Sequence, residues 1–334
     1  MLMDEHYISV ALCTYNGERF IKEQLESILN QNIPVNEIII GDDGSTDNTI
    51  EIIEGILEKS GIEYQIICNE NNLGFCKNFE NVIAHTKGDI IFLSDQDDVW
   101  RTNKVEKMIS HFDQNEKCFL VFSDAYLVDS EMNRLPGSLW EAVYYKKNRL
   151  KFQMWMDLLL SGNYVTGATM AFRRELFKMA VPFPQKSYHD AWLAIYAALY
   201  GEIEEESEQL IYYRQHGHNL VGAKKEKGLK EIVENKILLG KRAIKEQYED
   251  HKKMYEFYHE IYLREKEKMK KTDIKKVKSC LDAQKKFCEI SGDRKIYSLK
   301  IIAQGIIRGK YKKYCRKPIG FCGCDVLYCI FNKR

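Results

Sequence analysis

Residues 90–98 read Ile-Ile-Phe-Leu-Ser-Asp-Gln-Asp-Asp, an apolar run that stops abruptly at carboxylates. A short, wholly apolar run with polar ends fits a strand buried on both faces. Tyr7–Cys13, Ile38–Ile40 and Tyr64–Cys68 have the same character upstream. Between these runs the period changes. Glu18–Asn30 spaces Phe20, Ile21, Leu25, Ile28 and Leu29 as a helix would, and Asp47 to Lys59 puts Ile50, Ile53 and Leu57 on one face. Lys77–His85 is helical again. Strand–helix alternation with short joints predicts an α/β fold built on a doubly wound, mostly parallel sheet. Ligands of such sheets lie beyond the carboxyl ends of the strands. The residues to read are therefore those just after Cys13, Ile40, Cys68 and Leu93.

After the first strand comes Thr14-Tyr15-Asn16-Gly17-Glu18. Small polar groups and a glycine let backbone turn tightly around a ligand, and the helix N-terminus that follows suits phosphate. A helix cap and turn account for the same residues. After the second strand comes Gly41-Asp42-Asp43-Gly44-Ser45-Thr46-Asp47. Ser45, Thr46 or Asp47 can cap the next helix, but capping leaves two adjacent like charges at a buried strand end unexplained. A carboxylate there can accept a ring N–H from uracil or thymine. Turn chemistry alone is the other reading.

After the fourth strand, Asp95 and Asp97 are two residues apart in extended chain and face one side together. Crowded carboxylates are costly unless a cation offsets them. Their hard oxygens suit Mg²⁺ or Mn²⁺, which commonly bridge carboxylate to substrate phosphate. Asp98 points elsewhere and is expected to cap a helix starting near Arg101. An acidic cluster favoured by that helix's dipole is the alternative.

The four loops, in this order, resemble the family 2 glycosyltransferases of the GT-A fold over about residues 6–220. The resemblance implies a nucleotide-sugar donor, a divalent metal and inversion at the anomeric carbon. By it, Thr14, Tyr15, Asn16 and Glu18 line the nucleotide, and Asp43 with Asp42 reads the base. Asn72 and Gly74 of Asn72-Leu73-Gly74 join the donor site, as does Gln96. Asp95 contacts the ribose side and Asp97 ligates the metal. Thr102 stands where the family often has proline, which touches the helix start only.

His189-Asp190-Ala191-Trp192 resembles the family's catalytic-base motif, commonly Glu-Asp, and Asp190 matches the base. An acceptor hydroxyl needs a carboxylate to take its proton as it attacks C1. A capping box between Ser187 and Asp190 is a compatible reading. Gly162–Thr169 resembles the acceptor-side loop, which makes Gly167, Ala168, His189 and Trp192 acceptor-side residues. Tyr213–Asn219 resembles a segment of bacterial rhamnosyltransferase-like members, with His216 as a second metal ligand and His218 a bystander. That leans towards dTDP-rhamnose as donor, with UDP-hexose the close competitor. The acceptor is expected to be a polysaccharide or a lipid-linked glycan precursor. A sugar nucleotidyltransferase would need a glycine-rich triphosphate loop after strand one, which is absent. A non-catalytic sugar-binding subunit is hard to square with Asp97, Asp190 and His216 together.

The 334 residues are 45% apolar and 30% charged, enough apolar material for a core and against wholesale disorder. A net charge of +1 conceals two halves. Residues 1–221 carry 34 Asp+Glu against 19 Lys+Arg, while 222–334 carry 15 against 31. The boundary is expected there, with a catalytic domain over 1–221 and a basic, α-helical C-terminal region over 222–334. Cations beside Ile301, Ile302, Ile306 and Ile307 suggest a helix lying on an anionic membrane. Packing on the catalytic domain, or a homo-oligomer contact with the acidic half, are alternatives. Nucleic acid is not expected as a partner, since no reading module is present. Cys315, Cys322, Cys324 and Cys329 read as buried thiols in preference to a zinc site. The longest apolar run, Ala191–Tyr200, has ten residues, about half of what a spanning helix needs. Asp4, Glu5 and His6 are unlike a signal peptide, so a cytoplasmic chain is expected.

Overall fold

The computed structural model describes residues 6–145, 155–185, 187–216, 241–290, 295–315, 322 and 325. The chain forms two compact units, one of Met1–Lys151 with Tyr164–Lys224 and one of Phe152–Asn163 with Lys225–Arg334.

The first unit is built on one sheet. Strands β1 (Ile8–Thr14), β2 (Glu37–Asp42), β3 (Glu63–Cys68) and β4 (Ile90–Ser94) pair in parallel in the order β3-β2-β1-β4. Helices α1 (Ile21–Leu29), α2 (Thr49–Leu57) and α3 (Phe75–His85) make the crossovers. Every residue of β2 and β4 is buried, which is why these strands read as continuous apolar runs.

Beyond β4 the sheet becomes mixed. Strand β5 is Val99–Trp100, β6 Cys118–Val128, β7 Arg134–Ser138, β8 Met170–Arg173 and β9 Glu202–Arg214. β8 lies antiparallel between β4 and β6, β9 runs parallel to β6, β5 pairs antiparallel with β9, and β7 is a branch on β6. Helices α4 (Lys104–Gln114), α5 (Leu139–Ala142), α7 (Arg174–Ala180) and α8 (His189–Tyr200) complete this unit. A tight turn, Gly167–Thr169, leads into β8. The pairing of β9 with both β5 and β6 carries the chain back to the end of β4, so that His216 arrives beside Asp97.

The second unit is helical, with α6 (Trp155–Leu159), α9 (Lys241–Glu265), α10 (Lys271–Glu289), α11 (Lys295–Ile307) and α12 (Lys310–Tyr314). The short α6 is held here by polar ties. Tyr258 Oη donates to Leu159 O at 2.6 Å, and Lys276 pairs with Asp157 at 3.0 Å. Phe287 stacks on Tyr311 at 4.5 Å, and Gln284 bridges His251 to the Tyr314 carbonyl. Cys280 and Cys315 are buried thiols, while Cys324, Cys329 and His218 lie outside the described residues. No described helix is long and apolar enough to cross a membrane.

Candidate functional site

The loops after β1 and β2 are bolted to one another. Thr14 Oγ1 donates to Asp42 Oδ1 at 2.8 Å, and the Asn16 N–H to Ser45 Oγ at 2.8 Å. Asn16 Oδ1 accepts from the Thr46 N–H at 2.8 Å, and Glu18 Oε2 accepts from the backbone and side chain of Asn48. Asn16 has φ 48°, a left-handed conformation that asparagine tolerates better than most residues. Asp42 accepts four hydrogen bonds, from Thr14, the Ser45 hydroxyl and the N–H groups of Gly44 and Ser45. A carboxylate has about four acceptor positions. Asp42 therefore folds the turn and has nothing left for a base, which corrects its expected role as a partner of Asp43.

Asp43 spends three acceptor positions on the third loop. It takes the Leu73 N–H at 2.7 Å, the Gly74 N–H at 2.9 Å and Asn69 Nδ2 at 3.1 Å. Asn72 Nδ2 donates to the Asp43 carbonyl at 3.1 Å, and Asn72 Oδ1 accepts from the Gly74 N–H at 3.2 Å. The fourth loop is clamped to the first through Gln96, which accepts from the Tyr15 N–H at 2.9 Å and donates to the Tyr15 carbonyl at 3.1 Å. A Cβ on Gly17 would sit 2.3 Å from Gln96 Oε1, so the clamp needs glycine there. Tyr15 itself is exposed.

The acidic loop meets the end of β9. His216 Nε2 lies 2.8 Å from Asp97 Oδ2, and its ring stacks on Phe20 at 5.1 Å. Arg214, buried beneath, donates to the Asp97 carbonyl, to Ser130 O and to Glu23 Oε2, and its backbone N–H goes to Asp98 Oδ1 at 2.9 Å. Asp98 thus anchors β9 and does not cap α4, whose N-cap is Asn103.

Cis ligands of an octahedral ion with bonds of 2.0–2.1 Å are separated by about 3 Å. The Asp97–His216 separation fits a shared divalent cation on that measure. Among the described residues no group of three or more His, Cys, Asp or Glu is arranged to hold a metal. A cation here would take its remaining ligands from phosphate and water, as Mg²⁺ commonly does.

Asp190 lies in the first turn of α8. Its Oδ1 accepts from the Ala191 N–H at 2.6 Å, and its Oδ2 from the Gly167 N–H at 3.2 Å. Neither bond is a capping box with Ser187, and the α8 N-cap is Tyr188 with no side-chain cap. The carboxylates influence one another electrostatically. The Asp95 carboxyl is pushed up to about 7 by burial, then by Asp97 and Asp190, against the pull of Lys104. The buried Tyr213 hydroxyl is raised well above its usual range by burial and then by Asp98, Asp95, Asp97 and Asp190.

The expected acceptor side is rearranged. Trp192 is wholly buried and donates Nε1 to Ala180 O at 2.7 Å, so it belongs to the core and faces no acceptor, contrary to expectation. Gly167, Ala168 and His189 form a buried wall. His189 stacks on Phe79 at 4.1 Å, and neither ring nitrogen has a hydrogen-bond partner. Burial alone pulls its imidazole down to about 3. A Cβ on Gly167 would meet His189 Nε2 at 2.7 Å, so the glycine lets turn and ring touch. Tyr188, 48% exposed and near Phe75, offers the open aromatic face that Trp192 does not.

Residues 9–179 match the family described as Glycosyl transferase family 2. The chain belongs to glycosyl transferase family 2. Among its relatives is an uncharacterised glycosyltransferase of Haemophilus influenzae, 27% identical over 63% of this chain and 66% of its own length. Another is the Escherichia coli UDP-Glc:alpha-D-GlcNAc-diphosphoundecaprenol beta-1,3-glucosyltransferase WfaP, 36% identical over 36% of this chain and 46% of its own. The chain thus spans less than two thirds of the length of these relatives. The fold is that of TarS from S. aureus, solved with UDP-GlcNAc, at TM-score 0.54 and 17% identity over 96% of this chain and 91% of that one. It is also that of the mannosyltransferase PcManGT from Pyrobaculum calidifontis, solved with GDP-Man and Mn2+, at TM-score 0.52 and 14% identity over 99% and 89%. These likenesses place this family 2 chain in the GT-A architecture.

Sequence reasoning missed Lys104, Phe20 and Tyr188. A lysine in the first turn of a helix reads as solvated, yet Lys104 is fully buried. Its only sequence signal is Trp100, four residues earlier.

Proposed function

We propose that this chain is an inverting glycosyltransferase that moves a sugar from a pyrimidine nucleoside diphosphate to an acceptor hydroxyl. Residues 1–221 would hold the catalytic apparatus. What supports this is the bond between His216 and Asp97, the hold of the Gly167 turn on Asp190, the influence of Asp97 and Asp190 on the Asp95 carboxyl, and the interlocked loops after β1, β2 and β3. Asp43 retains one acceptor position for the ring N–H of uracil or thymine, and exposed Tyr15 offers a ring face. The named activity of WfaP, from UDP-Glc to a diphosphoundecaprenol-linked sugar, favours UDP-hexose over dTDP-rhamnose and a lipid-linked acceptor.

In the reaction, Asp190 takes the acceptor proton while the Gly167 N–H and the Ala191 N–H hold its two oxygens in place. The freed oxygen attacks C1 from the face opposite the departing diphosphate, which inverts the centre. Asp97 and His216 would hold a divalent cation, Mg²⁺ or Mn²⁺. When bound, it supplies the positive charge that neutralises the leaving diphosphate. Arg214 keeps both ligands in register by binding the Asp97 carbonyl and preceding His216 by two residues. Tyr188 gives an acceptor sugar an aromatic surface next to the base.

Asp190→Asn tests the core of this reading. A positioned general base contributes about 10² to 10⁴ in rate, so kcat should fall by that order while UDP affinity holds. Sugar transfer at the original rate would remove Asp190 from the reaction. The helical unit, covering much of 222–334, we read as a contact for anionic lipid. Ile306 and Ile307 are 55% and 84% exposed beside Arg308, Lys310, Lys312 and Lys313. Salt-sensitive sedimentation with phosphatidylglycerol vesicles is expected, and recovery wholly in the supernatant at low salt would exclude it.

A further inference from the structure

We infer that Lys104 is a positioning residue that ties the acidic loop to the turn holding the catalytic carboxylate. The inference rests on the role proposed for Asp190. Lys104 lies in the first turn of α4 and is fully buried. A buried ammonium is costly unless several partners offset it. Here there are two. Its Nζ donates to the Ala168 carbonyl at 2.8 Å. It sits 3.8 Å above the Trp100 ring.

The geometry forms a relay. Ala168 belongs to the turn Gly167–Thr169, and the preceding residue, Gly167, donates its N–H to Asp190 Oδ2. One end of the turn therefore holds the base and the next peptide is held by Lys104. On its other side, Lys104 packs over Trp100, the second residue after the acidic loop. Nothing local demands a lysine here. An apolar residue would pack on Trp100 without desolvating an ammonium. What the ammonium adds is a fixed distance between the loop that handles the leaving group and the turn that aims the base.

The test is a double-mutant comparison on the full chain with UDP-glucose and Mn²⁺. Lys104→Met keeps the length of the side chain and removes the donor. A base displaced by about 1 Å costs on the order of 100-fold in rate, so kcat should fall by that order. KM for donor and UDP affinity by calorimetry should stay within about twofold, the usual limit for uncoupled sites. Lys104→Arg should recover most of the loss. In the Asp190→Asn background, Lys104→Met should cost less than about twofold more, because the group it aims is already disabled. The proposal is overturned if Lys104→Met leaves kcat unchanged, or if it lowers turnover by the same factor in both backgrounds. If Lys104→Met does not fold, Lys104→Leu, which also removes the donor to Ala168 and packs on Trp100, carries the same comparison. Failure of the Asp190 assignment itself would appear separately, as an Asp190→Asn single variant with full turnover.

Discussion

The two sides of the proposed site are built on opposite principles. On the nucleotide side, between β1, β2 and α3, nearly every polar group has a partner within the chain: Asp42 fills its four positions and Asp43 three of its own. On the catalytic side, polar groups are buried with their needs unmet. Asp98 Oδ2, both nitrogens of His189 and the Ser187 hydroxyl have no hydrogen-bond partner, and Asp95 is crowded by like charges. A saturated wall is a scaffold that a ligand leans on. An unsaturated one holds charge and polarity in reserve for a ligand to answer, at a cost in stability. On the proposed assignment, the nucleotide loops are held by bonds within the chain, while the reacting side keeps buried polar groups that the chain does not answer.

That contrast can be broken by substitution on either wall. The larger effect belongs to the scaffold. Asp42→Ala strips four donors of their acceptor in a buried turn, and losing charge-assisted bonds of this kind should cost about 3 kcal/mol. Urea denaturation would measure it, and a loss below about 1 kcal/mol would mean the loops are not held as the hydrogen bonds suggest. A smaller effect of opposite sign is expected across the cleft. His189 takes a proton near 6.5 in the unfolded chain but only at about 3 when folded. The native state therefore loses stability relative to the unfolded one as pH falls from 6.5. His189→Phe, placed against Phe79 and Phe75, removes that penalty. The variant should gain about 2 kcal/mol over the parent at pH 5 and little at pH 7.5. Parallel stability curves for the two proteins between these pH values would show that the imidazole is not held neutral.

How much of this was legible in the sequence follows the same division. The parallel strands and the loops at their ends could be read because period and adjacency are local properties. Alternation predicts that Asp95 and Asp97 face one way, but the chain bends at Gln96 and Asp97 instead of staying extended. What could not be read depends on contacts between distant parts. Trp192 looks like an open aromatic beside Asp190, but the turn of α8 carries it inward to Ala180. Asp98 looks like a cap for the nearest helix, but the far-off Arg214 N–H claims it. Lys104 looks solvated because nothing local reveals that the Gly167–Thr169 turn will bring it a carbonyl. The meeting of His216 with Asp97 came from resemblance, not from any property of the intervening residues.

The residues 152–163 segment belongs to the helical unit although it lies in sequence between two parts of the sheet-bearing one. Met156, Leu158, Leu159 and Leu160 are buried, and Leu159 and Leu160 give their carbonyls to Tyr258 and Cys280. The polypeptide is therefore laced and not strung. Trimming it after residue 224 would not release a self-sufficient enzyme but would leave a greasy loop with no home. The basic C-terminal portion and the inserted segment 152–163 thus form one folding unit and depend on each other.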